Sequence, residues 1–191
     1  MSLKVTFELA EADLDHFRRV MREARAVAKR RGAEEVLAAA EGLLAQIKGA
    51  NFPEFIRDRL ERIRTLTDMV RDAEWNLPDA DKSRVLSALA YFCEPDDLIP
   101  DDVPGLGFLD DAIMVELVVR ELRHEIEAYQ DFCSFRAAQD ANPQHGDDPV
   151  TREEWLVARR RALQSRMRNR RKRERERRSG GNRSRSPFSL F

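Results

Sequence analysis

One stretch near the middle of the chain combines prolines, glycines and paired carboxylates, and it limits what the chain can fold into. Between Glu94 and Asp111 there are three prolines, two glycines and six aspartates. Each proline fixes its own φ and pushes the residue before it toward extended geometry, so a helix does not run through the stretch. Both flanking segments are apolar with helical spacing. The sequence therefore predicts a rigid, Ω-like loop that joins two helices.

The aspartates of this loop suit two roles, helix capping and cation binding. Asp96 or Asp97 is placed to bond backbone donors after the preceding helix, and Asp110 or Asp111 stands where the next helix begins. Oxygen-rich clusters also suit Ca²⁺ or Mg²⁺, but these residues do not follow the alternating spacing of an EF-hand. Capping accounts for several of them without an ion. We therefore expect a structural loop and no metal.

The order of prolines, glycines and aspartates in the loop is similar to that of a known family. The positions that carry the resemblance are Asp97, Pro100, Asp101, Pro104, Gly107, Asp110 and Asp111. This pattern, between apolar helices from roughly Val85 to Leu122, resembles the YkvA-like family, a bacterial domain of unknown function. The resemblance implies a small helical domain, often suspected of membrane association, without an established activity. It offers no catalytic residue to transfer.

Apolar residues recur at helical spacing in five segments of the chain before residue 140. We expect helices over residues 11–31, 33–48, 53–78, about 80–93 and about 109–138. The predicted buried face of the last one consists of Val115, Val118, Leu122, Ile126, Tyr129 and Cys133. Val5 to Leu9 has strand character but no partner strand follows, so we predict an extended lead-in. The pattern favours an all-α, five-helix bundle with the Pro/Gly/Asp-rich loop between helices 4 and 5.

Charge divides the chain into an acidic body and a basic arm. Residues 159–191 contain fourteen Arg or Lys and two Glu, a net charge of +12, whereas the first 158 residues carry −13. Thr151 and Glu154 form the sequence pattern of a capping box, which predicts the start of a helix. We predict an acidic bundle over 1–140, a linker over 141–150, a basic helix over 151–178 and a flexible, disordered tail over 179–191.

The basic arm supplies the candidate binding residues. They are Arg159, Arg160, Arg161, Arg166, Arg168, Arg170, Arg171, Lys172 and Arg173. Such a cluster suits the phosphates of nucleic acid, which it would bind without sequence preference and with strong salt dependence. The same charges would also attract anionic lipid headgroups, an alternative that ranks behind nucleic acid, or the arm folds back on the acidic body. Trp155, Leu156, Leu163 and Met167 form a weak apolar stripe, which agrees with a membrane surface.

Large apolar residues end the chain, at Phe188, Leu190 and Phe191. Exposed apolar side chains at a terminus are suited to a pocket in a partner protein. The segment resembles the pentapeptide Gln-Leu-Ser/Asp-Leu-Phe by which bacterial replication and repair proteins bind the sliding clamp. It departs from that pattern at Pro187, which replaces Gln, and at Phe188, which replaces Leu. The resemblance implies a protein partner on DNA.

The sequence carries little that points to catalysis. Asp13 with His16 and Glu121 with His124 have the spacing of helical di-metal sites, but further inward carboxylates are missing, so we expect no metal or cofactor. Triads and phosphate-binding glycine loops are absent. The longest apolar runs fall short of the roughly 20 residues of a spanning helix, and we see no signal peptide. With two cysteines that lack metal-ligand spacing, a reducing cytoplasm is expected, with membrane or nucleoid association open.

Three functions therefore remain open from the sequence. The first is a non-enzymatic interaction or scaffold protein that contacts partners through its basic arm. The second is a DNA-associated accessory protein that also uses the clamp-like terminus. The third is a peripheral membrane protein.

Overall fold

The computed structural model describes residues 10–48, 54–93, 109–141 and 151–180, and all regular structure in these ranges is helical. The elements are α1 (Glu11–Arg31), α2 (Ala33–Lys48), α3 (Glu54–Arg71), α4 (Asp79–Leu89), a 3₁₀ turn (Ala90–Cys93), α5 (Leu109–Glu121), α6 (Arg123–Ala141) and α7 (Arg152–Gly180). The predicted all-α class is confirmed. Among the described residues no helix is both long enough and apolar enough to cross a bilayer.

Gly32 separates α1 from α2, as its position in the sequence predicts. Its φ is 84°. This left-handed conformation ends a helix readily at glycine, because a side chain would be strained there. The two helices then bury facing apolar stripes, in which Met21 and Val36 are fully buried.

The core lies where α1 to α4 meet, and α5 and α6 extend it. The 3₁₀ turn packs between α1 and α2, α5 packs on α3, and α6 packs mainly on α7. Trp75, in the segment after α3, is completely buried. Its ring centroid lies 5.2 Å from that of Phe132 and 5.8 Å from that of Tyr129, so it joins the α3–α4 connection to α6.

The third helix is shorter than predicted. It ends at Arg71, and Pro78 is instead the residue before α4. Asp72 explains the early end, because its Oδ1 accepts a hydrogen bond from the Trp75 amide at 2.9 Å and so stabilises a turn. Asn76 continues this turn with a φ of 43°. Pro78, the stop signal from which the longer helix was predicted, therefore lies seven residues beyond the end of α3.

The predicted fifth helix is two helices, which meet at Leu122. Backbone hydrogen bonds continue across the junction, from the Leu122 amide to Val118 at 2.8 Å and from the Ile126 amide to Leu122 at 3.0 Å. The break follows from packing, since α5 contacts α3 while α6 contacts α7. No proline or glycine lies at this position, so the spacing of apolar residues predicts one continuous helix.

The last helix, α7, begins with the predicted capping box. The Thr151 amide donates to Glu154 Oε2 at 2.8 Å, and the Glu154 amide donates to Thr151 Oγ1 at 3.3 Å. Three apolar side chains of α7 are buried, namely Leu156, Leu163 and Met167. The predicted apolar stripe therefore packs into the body. Trp155, which was predicted to belong to that stripe, lies outside it and is 38% exposed.

Candidate interaction surface on the C-terminal helix

Most cationic side chains of α7 fall into two groups, according to whether or not they contact the body. The inner group contacts the body and contains Arg159, Arg160, Arg170 and Arg171. The outer group is exposed and contains Arg161, Arg166, Arg168 and Arg173. Within the described part of the chain, the outer group shows no ion pair to the body. Lys172 is also exposed and pairs with Glu176 on its own helix at 3.9 Å.

Arg171 is the deepest contact of the inner group. Its Nη1 lies 2.6 Å from Asp81 Oδ1 on α4 and 2.7 Å from Glu125 Oε1 on α6. Asp81 is 1% exposed and Glu125 is completely buried. Burial opposes the charged form of Arg171, but hydrogen bonds to Asp81 and Glu125 outweigh it and raise the guanidinium pKa. The arginine is therefore a permanent cation held between two buried carboxylates.

We call Asp81, Glu121 and Glu125 the acidic cleft. Arg84 also enters it, with 3.4 Å between its Nε and Glu125 Oε1 and 3.5 Å between its Nη2 and Glu121 Oε1. Two guanidinium groups thus face three carboxylates. Glu125 Oε2 is buried and has no hydrogen-bond partner among the described residues. Docking of α7 therefore leaves one oxygen of Glu125 without a hydrogen bond from the described residues.

Further polar contacts hold the middle of α7 against the body. Gln164 Nε2 donates to the Trp75 carbonyl at 2.9 Å, and Arg160 Nη1 donates to the Glu74 carbonyl at 3.0 Å. Arg170 pairs with Glu127 at 3.0 Å, where both side chains are about half exposed. These contacts position α7 in register with α6 and with the turn after α3.

The beginning of α7 is clamped by a separate ionic network. Arg152 pairs with Asp140 at 2.7 Å and with Glu74 at 2.8 Å, and Arg136 pairs with Glu74 at 2.9 Å. Hydrogen bonds from Arg152 and Arg136 lower the pKa of the Glu74 carboxyl. Arg136 also reaches Asp72 at 2.8 Å. The network connects α6, α7 and the turn after α3.

The outer face of α7 has an open, basic groove. Its volume is about 550 Å³, and it is lined by Ala162, Ser165, Arg166, Asn169, Arg170 and Arg173. Trp155 shares this face, because Arg173 follows it by 18 residues, or about five helical turns. Arg166 is about three turns from Trp155 on the same side. An exposed indole therefore lies in line with two exposed guanidinium groups.

Several predicted site residues lie outside the part of the chain that the structure describes. These are the loop residues Asp97, Pro100, Asp101, Pro104 and Gly107, and the terminal residues Phe188, Leu190 and Phe191. Asp110 and Asp111 belong to the first turn of α5. The contacts of these side chains therefore lie outside what the structure describes.

The two Asp/His and Glu/His pairs have ordinary partners. Asp13 Oδ2 accepts from the Ala10 amide at 2.8 Å, and His16 Nδ1 lies 2.8 Å from Arg19. His124 Nε2 lies 2.8 Å from Glu174 on α7. Across the described residues, no three His, Cys, Asp or Glu side chains come together in a way that suits a metal ion.

Sequence reasoning missed the acidic cleft, although a signal for it exists. Glu125 is three residues after Leu122 and one before Ile126, and Asp81 is four residues before Val85. Each carboxylate therefore falls on the apolar stripe of its helix, which faces the core. A charged residue at such a position needs a buried partner. The spacing of residues in the sequence does not identify the arginine that serves as this partner.

Comparison with known proteins places the chain in a family. The profile of a protein family of unknown function, DUF1232, matches residues 81–117. The uncharacterized membrane protein YkvA of Bacillus subtilis (strain 168) is 34% identical over 77 residues, which cover 37% of this chain and 71% of YkvA. The chain belongs to the YkvA-like DUF1232 family. The family resemblance seen in the loop is thus confirmed. No solved structure matches the chain.

The DUF1232 match contains only part of the surface described above. Asp81 and Arg84 of the acidic cleft lie inside the matched residues 81–117, while Glu121 and Glu125 follow them. Arg171 and the whole of α7 lie beyond the match. The family segment therefore supplies one side of the cleft, and the basic helix that fills it comes from the rest of the chain.

Proposed function

We propose that the protein is a non-enzymatic interaction module that attaches peripherally to anionic membrane surfaces through the outer face of α7. The observation that carries this proposal is the alignment of exposed Trp155 with Arg166 and Arg173. Trp is enriched where membranes meet water, because its ring is apolar and its N–H is polar. A flat surface with one indole and several guanidinium groups fits a layer of anionic headgroups.

Electrostatic attraction contributes to the affinity of this face for the membrane and also orients the protein on it. Each Arg or Lys near an anionic bilayer contributes about 1 kcal/mol, so Arg166 and Arg173, which lie in line with Trp155, supply about 2 kcal/mol. Residues 1–158 carry a net charge of −13 and are repelled by the same surface. The opposed charges favour one orientation, with α7 toward the headgroups. The name of YkvA, a membrane protein, supports this choice over nucleic acid.

Vesicle binding of the full chain tests the proposal. We would compare Arg166→Gln/Arg173→Gln with Arg22→Gln/Arg62→Gln, which removes the same charge from exposed positions on α1 and α3. Truncation is unsuitable, because α7 contributes buried residues. On vesicles of phosphatidylglycerol and phosphatidylcholine, the α7 double variant should bind about 30-fold more weakly, which corresponds to about 2 kcal/mol. The body variant should bind like wild type or slightly more weakly, because it makes an already acidic body two charges more negative.

Two results would contradict the proposal. Equal binding by the two double variants would show that the outer face of α7 does not make the contact. Binding to duplex DNA together with no binding to anionic vesicles would assign the arginines to nucleic acid. Brominated lipids provide a second readout, since they should quench Trp155 on binding but leave the buried Trp75 unaffected.

A further inference from the structure

The docked face of α7 is held by charges that an anionic membrane also attracts. Arg170 and Arg171 pair with Glu127, Asp81 and Glu125 on the body. A guanidinium binds phosphate oxygens with the same bidentate geometry that it uses for carboxylates. The acidic body and a phosphate-covered surface therefore compete for the same side chains.

The contacts that dock α7 are individually reversible. Among the side chains of α7 that the structure describes, three apolar ones are buried, namely Leu156, Leu163 and Met167. Exposed ion pairs such as Arg170 with Glu127 contribute little in water, and desolvation of a buried pair offsets much of its attraction. Glu125 Oε2, which lacks a partner in the described structure, adds a further cost to the docked state. Ion pairs therefore make up much of the docked interface, and an anionic surface competes directly with ion pairs.

From these contacts we propose that the acidic cleft is a guanidinium-binding site whose resident ligand is Arg171, and that an anionic membrane surface displaces this ligand and releases α7. The inference rests on the proposed membrane function and adds a regulatory step to it. Release exposes Asp81 and Glu125 to water, which solvates them. It also frees the inner arginines of α7 for headgroup phosphates.

Release changes the way in which α7 binds the membrane. Its docked stripe of Leu156, Leu163 and Met167 becomes available to the acyl boundary, with arginines on both sides. A helix with one apolar stripe and a basic opposite face lies in the membrane interface. Ten residues, 142–151, join α6 to α7, and they span up to about 33 Å when extended. This length of chain allows α7 to move away from α6.

Thermodynamic linkage between the docking of α7 and membrane binding provides the experimental test. If membrane binding and docking exclude each other, weakening the docked state must raise the affinity for vesicles. Glu127→Gln removes the exposed pair with Arg170, at 3.0 Å. Glu41→Gln is the matched control, because Glu41 pairs with Arg71 between α2 and α3 at 2.9 Å with similar exposure. Both variants remove one negative charge. Because Glu127 also lies beside Arg166 and Arg170 of the basic groove, its loss favours vesicle binding even without release, so amide exchange in α6 decides whether α7 leaves the body.

The proposal expects Glu127→Gln to bind phosphatidylglycerol vesicles about two- to fivefold more tightly than Glu41→Gln. This range corresponds to the 0.2–1 kcal/mol of an exposed ion pair. Backbone amide exchange should also rise on vesicle binding in residues 123–132 of α6 and in the turn around Trp75, because α7 covers both. Glu125→Gln should give a larger effect if circular dichroism shows that it remains folded.

The outcomes separate this inference from the proposed function. Unchanged amide exchange in α6 on vesicle binding, whatever the affinities of Glu127→Gln and Glu41→Gln, would overturn the release of α7 and leave peripheral binding by the outer face intact. Failure of the wild-type chain to bind any anionic vesicle would overturn the proposed function, and this inference with it.

Discussion

Arg171 on α7 lies 2.7 Å from Glu125 on α6, whose side chain is completely buried. The two residues are 46 positions apart in the chain, and they connect the basic helix to the helix that follows the family segment. A buried carboxylate is stable only beside a cation or with its hydrogen bonds satisfied. The pair therefore makes the packing of α7 part of the stability of the body.

Replacement of Arg171 by Met should destabilise the protein strongly. Removing one partner of a buried ion pair costs about 3–5 kcal/mol, and we expect about 3 kcal/mol because Arg84 remains beside Glu125. Urea unfolding of the purified protein measures the change. Arg168→Met removes an exposed arginine from the same helix and should change the unfolding free energy by less than about 0.5 kcal/mol. Similar losses in the two variants would contradict the role of Arg171.

Glu74 should make stability depend on acid pH through its contacts with Arg152 and Arg136. These hydrogen bonds lower the pKa of the folded carboxyl below its ordinary 4.5. The folded state therefore holds the proton less tightly than the unfolded state. The stabilisation is complete above pH 4.5 and is lost as the pH falls through the lower, folded pKa.

Thermal unfolding of wild type and Glu74→Gln from pH 3 to pH 7 measures this contribution. Because Glu74 is largely exposed, we expect wild type to lead by less than about 1 kcal/mol at pH 7. The difference should shrink steadily below pH 4.5. A difference that stays constant over the whole pH range would show that ionisation of Glu74 does not cause it.

Gly32 and Gly42 should respond in opposite ways to replacement by Ala. Neither position has an atom within 4 Å of an added Cβ, so packing is equal. Gly32 has a φ of 84°, where alanine costs about 1–2 kcal/mol. Gly42 lies inside α2, where alanine gains about 1 kcal/mol in helix propensity. Chemical denaturation should show Gly32→Ala destabilised and Gly42→Ala stabilised. The same sign in both variants would exclude the conformational explanation.

Local signals account for the parts of the fold that were predicted correctly. Gly32 ends α1, and Thr151 with Glu154 opens α7, because glycine conformation and capping depend on neighbouring residues only. The end of α3 and the boundary between α5 and α6 were predicted wrongly, because no proline or glycine marks either position. Asp72 forms a turn with Trp75, and Leu122 marks a change of packing partner.

By itself, the sequence determined the all-helical class, the family and the concentration of positive charge in the last part of the chain, since these follow from local spacing, composition and motif. Only the tertiary structure decided which arginines remain available. It places Arg171 between Asp81 and Glu125 and leaves Arg166 and Arg173 exposed beside Trp155. The reason is physical: helical periodicity assigns a residue to a face, but the free energy of burying that face depends on distant residues that the fold brings together.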